Sequence, residues 1–196
     1  LRRWTPRPPD GSPFHPEWRR VSEEVWRDTR NRAMDFGPFL GTGLKLRARD
    51  AAGAWKPAGE VERGLAVRVG DPPAGTVVYE HNLVQCRGGW IGDHLDFAGS
   101  RFGFLDVPAN ASPPLFLVPP SPGWAREGSF GGDLPPRGFP LPRPWAAHVG
   151  IHLHGRRTIL EGRAGGVRIL EHPWIERIGA HVALTRTIEV APADRP

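Results

Sequence analysis

The chain has 196 residues, a formal net charge of +5, Gly 25, Pro 23 and a single cysteine. That length suits one domain with a sizeable core, and Gly and Pro interrupt the chain too often for a helical bundle. One cysteine excludes an intramolecular disulfide, a cysteine-based zinc or iron–sulfur site and a c-type haem attachment, and no apolar run is long enough to cross a bilayer as a helix.

Lys45 and Lys56 are the only lysines, and the arginines are interspersed with Asp and Glu, adjacent only at Arg2-Arg3, Arg19-Arg20 and Arg156-Arg157. This pattern reads as the composition of a GC-rich genome rather than as a nucleic-acid footprint. The first residue is Leu1, and Arg2-Arg3 leads into Trp4-Thr5-Pro6 instead of an apolar signal core, so a processed mature chain or an excised fragment is expected.

Residues 1–16 carry five prolines and read as an extended, polyproline-like arm with Trp4 and Phe14 as anchors for a partner. Residues 17–33 place Trp18, Val21, Val25 and Trp26 at helical spacing, with Glu17 at the start and Arg27, Arg30 and Arg32 toward the end, which predicts an amphipathic helix. From residue 34 the period changes. Leu44, Leu46 and Ala48 alternate with Lys45, Arg47 and Arg49 in a predicted strand over 39–49. Asp50 to Pro57 reads as a turn-rich connection holding Trp55, and 65–69 and 76–79 as two further strands.

Val77 to Tyr79 and Leu83 to Cys86 flank Glu80-His81-Asn82 in a predicted hairpin. After it, Gly88-Gly89 is expected to deliver Trp90 and Ile91 into a loop that ends at Phe102 and Phe104. Cys86 sits in an apolar alternation and reads as a small core residue. Asp106 to Pro144 is rich in Pro and Gly and reads as a long excursion that wraps the domain or forms a binding surface; within it Asn110-Ala111-Ser112 matches the glycosylation acceptor triplet. The last third is regular: Val149, Ile151 and Leu153 alternate with Gly150, His152 and His154, Gly155 turns the chain, and 158–161, 167–171 and 182–190 continue as strands. Strands about every ten residues, without helices between them, predict a mainly β domain over 34–191. We expect an antiparallel β-sandwich, jelly-roll or lectin-like, with a short tail at 192–196.

Six pieces in order carry a resemblance: Met34-Asp35-Phe36-Gly37-Pro38-Phe39-Leu40, Gly64-Leu65-Ala66-Val67-Arg68-Val69, Gly88-Gly89-Trp90-Ile91, Pro122-Gly123-Trp124-Ala125, Leu141-Pro142-Arg143-Pro144-Trp145 and His152-Leu153-His154-Gly155. Together they resemble a β-rich domain of unknown function found in large secreted bacterial proteins beside c-type cytochrome domains. The resemblance implies a β-sandwich, a periplasmic or extracellular setting and a redox neighbourhood; it brings no catalytic residues.

His152 and His154 lie two apart on one strand and are the best metal candidates, joined by His148 if the strand is regular. An exposed polar strand face explains them better. Asp93, His94 and Asp96 place carboxylates and an imidazole in one loop, but at the spacing of no hydrolase motif. Trp90, Trp124 and Trp145, with Phe102 and Phe130, are candidates for an aromatic platform; Trp90 reads as core, while Trp124, Phe130 and Trp145 stay open as partner-binding residues beside Trp4 and Phe14.

The expected function is therefore non-catalytic and cofactor-free: a binding or scaffold subunit, peripheral to the membrane, that contacts protein subunits of a membrane electron-transfer complex of cytochrome or photosynthetic reaction-centre type. The alternative is a carbohydrate-binding module using Trp124 or Trp145. A metal-dependent hydrolase built on His152, His154 and Asp93 or Asp96 ranks last.

Overall fold

The computed structural model describes residues 37–72, 74–97, 107–130, 134–136 and 138–192. The predicted arm over 1–16 and helix over 17–33 lie outside the described residues. All strands described below belong to one compact unit, Phe36–Asp96 with Val107–Pro196.

The fold is mainly β. In chain order the strands are β1 Phe39–Arg49, β2 Trp55–Val69, β3 Gly75–Glu80, β4 Gln85–Ile91, β5 Leu95–Asp96, β6 Ala109–Asn110, β7 Pro114–Leu117, β8 Ala146–His154, β9 Arg157–Ala164, β10 Val167–Ile178 and β11 His181–Val190. The first seven form one sheet in the order β5-β6-β1-β2-β3-β4-β7, and the last four form a second in the order β11-β10-β9-β8. Pairing is antiparallel except where β6 joins β1 in parallel at Lys45 and Ala109. Each sheet draws on its own stretch of chain and is built largely of meanders, unlike a jelly roll of two Greek keys.

Alternation along β2 to β4 decides the packing. Leu65, Val67, Val69, Val77, Tyr79 and Cys86 project to one side and cluster with Leu160 of β9, with Ile151, Ile175 and Leu184 of the second sheet packed against them. The two sheets meet through this cluster. Within it the Tyr79 hydroxyl donates to the Glu171 carboxylate of β10, which also receives Arg186 Nε at 2.5 Å and Nη2 at 2.9 Å. Burial first, and then the Glu171 charge, raise the Tyr79 pKa well above its ordinary value, so the phenol keeps the proton that it donates across the sheets.

Leu44, Leu46, Val61, Ala66, Val78 and Trp90 project to the other side and form a second cluster, joined by Leu95 of β5 and Leu117 of β7. β5 and β7 are the opposite ends of the sheet order, so the sheet curls until its two edges share one cluster.

Several local expectations change. Gly88 to Ile91 lie inside β4 and not in a loop. The glycines serve close packing: a Cβ at Gly88 would meet Leu117 Cδ2 at 2.8 Å, and one at Gly89 would meet Leu184 Cδ1 at 2.6 Å. β2 begins at Trp55, ten residues earlier than expected, because its first half pairs with β1.

The excursion from Asp106 to Pro144 contains β6 and β7 and is tied down by buried polar side chains. Asn82 Nδ2 donates to the Gly138 carbonyl, Gln85 Nε2 to the Pro119 carbonyl and Ser121 Oγ, and Arg87 Nε to the Val118 carbonyl. Asn110 is fully buried, and its amide nitrogen donates to the carbonyls of Arg47 and Ser112 while its oxygen accepts the Arg47 N–H. It replaces a strand partner and is no acceptor for a glycan in the folded domain.

The β3–β4 turn supplies one prediction. Val84 there adopts φ 50°, a costly value for a β-branched residue. Gly123, whose N–H donates to the Leu83 carbonyl, lies so close that a Cβ would stand 1.8 Å from the Val84 carbonyl oxygen. Gly123→Ala must push backbone from backbone, and urea unfolding should show a loss of about 1–3 kcal/mol or more. An unchanged midpoint would show that the two segments are not in contact.

Candidate binding cleft

The sequence candidates scatter. Trp4, Phe14 and Phe102 lie outside the described residues. Trp145 is a core residue, 8% exposed, packed with Leu83, Leu141 and Ala146, and its indole N–H donates to the Trp124 carbonyl at 2.9 Å. Trp124 is half-buried against the same cluster, and Phe130 is 59% exposed. Trp90 is fully buried, with its indole N–H on the carbonyls of Asp93 and His94.

The histidine strand is irregular. A register shift lies between His148 and Gly150, and His148 stacks on His81 of the β3–β4 turn at 4.1 Å, away from the face that carries His152. His152 Nε2 is 2.6 Å from Glu161 Oε2, whose other oxygen receives Arg168 Nε at 2.7 Å. His154 is exposed at the end of β8. Asp93, His94 and Asp96 do not form a set either: Asp96 pairs with Arg47 at 2.9 Å, and His94 Nδ1 bonds Thr76 Oγ1 at 2.9 Å. Among the described residues no group of three or more His, Cys, Asp or Glu is placed to hold a metal ion. Burial raises the Cys86 thiol to about 11, which keeps it protonated and unreactive near neutral pH.

Sequence reasoning missed a cleft of about 960 Å³. Lys45, Leu46 and Arg47 of β1 and Trp55, Lys56, Pro57, Gly59, Glu60 and Glu62 of β2 contribute one side. Glu80, Asn82, Leu83 and Arg87 of the β3–β4 hairpin contribute another side, and Pro120, Leu134, Pro135, Pro136, Gly138 and Phe139 the far wall. Nine of the nineteen lining residues are apolar or proline and seven are charged, four of them cationic, so the cleft combines apolar walls with groups of both signs. Leu134 and Phe139 are 41% and 63% exposed at the cleft.

Glu80 marks the place where β2 parts from β3. The β2–β3 ladder ends at Gly64 and Glu80, and the Glu80 carboxylate then accepts the backbone N–H groups of Glu62 and Arg63 at 2.8 and 3.0 Å. Arg87 is only 3% exposed yet lines the cleft. Burial lowers the pKa of its guanidinium, and the Glu80 charge acts in the opposite sense. Trp55 stands at the other side with Arg47 and Arg49 over its ring, at 4.8 and 4.2 Å. Such cation–π contacts hold the indole in place.

Residues 77–171 match the family model described as a domain of unknown function (DUF6797). The match runs from β3 into β10, narrower than the stretch from Met34 to Val190 that carries the resemblance. It includes Glu80, Arg87 and the Pro-rich wall, while the side made by β1 and β2 lies before it. No curated protein and no solved structure matches the chain.

Proposed function

We propose that the chain is a non-catalytic binding module, a β-sandwich in which the cleft receives part of a partner protein. The observation that carries this reading is the cleft itself: Leu46, Leu83, Pro57, Pro120, Leu134 and Phe139 line a concavity of about 960 Å³, and large apolar side chains stand uncovered at its mouth. Exposed apolar surface in a concave setting marks interaction sites.

The partner in this reading is a subunit of a membrane electron-transfer complex, with the module in an extracytoplasmic compartment and peripheral to the membrane. The sequence resemblance supports that part. Of the two residues on which the carbohydrate alternative relies, Trp145 lies in the core and Trp124 is half-buried against it.

Phe139→Glu is the test, since Phe139 is 63% exposed and tolerates a charge without loss of core. Tagged wild-type protein isolated gently from source membranes should carry electron-transfer subunits in fixed stoichiometry, and the variant should lose them. Equal recovery with both forms, or none with either, would overturn the reading.

A further inference from the structure

We infer that β11 is an interface between copies of this chain: its outer edge pairs antiparallel with β11 of a second copy, about a two-fold axis at Thr185. The two four-stranded sheets then run on as one. This goes beyond the cleft reading and stands without it.

A sheet edge is a template for further pairing, and three of the four edges of this fold are blunted against it. β5 has two residues, β7 has four and starts with Pro114, and β8 is bent by the register shift between His148 and Gly150. β11 has none of these devices. From His181 to Val190 it pairs with β10 residue for residue without a shift, and its sequence holds no Pro, Gly or Lys. Arg186 is turned inward onto Glu171. Among the described residues β10 is the only strand beside it. Alternation puts Ile188 and Val190 on the same side of the strand as Leu184, yet they stand 42% and 55% exposed, where Leu184 packs on the first sheet. A long, regular edge with bare β-branched residues is suited to take another strand.

The order of side chains along β11 names the occupant, because the strand is complementary to itself. Pairing across a two-fold axis normal to the sheet keeps each face on its own side, so inward residues meet inward ones. With Thr185 opposite itself, the outer face sets His181 against Glu189 of the second copy and Ala183 against Thr187. The inner face sets Val182 against Ile188 and Leu184 against Arg186. The overlap runs from His181 to Glu189, with an imidazole facing a carboxylate at each end and apolar side chains meeting between them. An axis at Arg186 would set that guanidinium against its own copy. An axis at Leu184 or Thr187 would shorten the overlap and part His181 from Glu189.

Sedimentation of the whole chain from about 1 to about 200 µM, in about 0.15 M salt, should show a monomer–dimer equilibrium. Along one strand His181 and Glu189 lie about 27 Å apart, so they can meet only between copies. His181→Glu should weaken the dimer about fivefold or more and His181→Lys should tighten it. With Glu189→Lys added to each, that order should reverse. Glu189 also interacts with Arg168 of β10 in its own copy, so the reversal at His181, not the loss at Glu189, reads the contact. Thermal unfolding checks that every variant compared is folded. A monomer at every concentration would overturn the inference and leave the edge to a strand of another protein. A dimer indifferent to these charges would overturn it as well and put the interface elsewhere.

Discussion

Trp90→Ala, which removes the largest fully buried side chain among the described residues, is expected to cost about 3–5 kcal/mol of folding free energy. Trp90 is 0% exposed and packs with Leu44, Leu46, Val61, Ala66 and Val78, while Leu95 and Leu117 reach the same cluster from the two ends of the curled sheet. Removing the indole opens a cavity where both edges meet and leaves the carbonyls of Asp93 and His94 without their donor. Trp90→Phe restores most of the apolar contact but not the N–H, so it should lose about 1–2 kcal/mol. Urea unfolding of the three proteins checks the order. A loss below about 1 kcal/mol for the alanine form would show that the sheet is not closed around this side chain.

Mild acid is expected to destabilise the domain well before its carboxylates are protonated. Burial, with Arg68 adding to it, lowers His94 to about 3, and burial with the stacked His81 lowers His148 to about 4. Burial also lowers His81, and burial with Arg157 lowers His172. In the unfolded chain these groups titrate near about 6.5. Between that value and their folded values the unfolded chain binds more protons, so stability is full above about pH 6.5 and falls as pH drops toward the folded values.

Over about two pH units below 6.5, His94 alone removes about 3 kcal/mol, and His148, only partly buried, removes less because solvent screens it. Glu161, held at about 2 by the hydrogen bonds from Arg168 and His152, stays ionised through the window. Thermal unfolding from about pH 7.5 to about 4.5 should show a steadily falling Tm, and His94→Gln should flatten the slope. A flat profile in the parent protein would mean that the histidines titrate as in an open chain.

Strand content was legible in the sequence wherever pattern is local. Leu44 and Leu46 alternate with charged residues, and β1 occupies the expected 39–49; the four strands of the last third follow their turn signals as an antiparallel meander. Cys86 reads as core in both. Gly88-Gly89 announced a close approach, but the sequence could not say that the approaching groups are Leu117, Phe116 and Leu184, which come from other parts of the chain. The excursion after Asp106 looked structureless because its order depends on Asn82, Gln85 and Arg87, each bonded to a residue thirty or more positions away.

The cleft shows the same division. Nothing in the local order of Glu80 or Arg87 separates them from any other charged pair in a strand. Alternation, turn chemistry and composition act between neighbours, so the sequence by itself determined a mainly β domain with a buried thiol and the placement of several of its strands. The curl that brings β5 and β7 to one cluster, the pairing of the first half of β2 with β1 and the enclosure of Arg87 come from contacts between distant segments, and these only the tertiary structure decided.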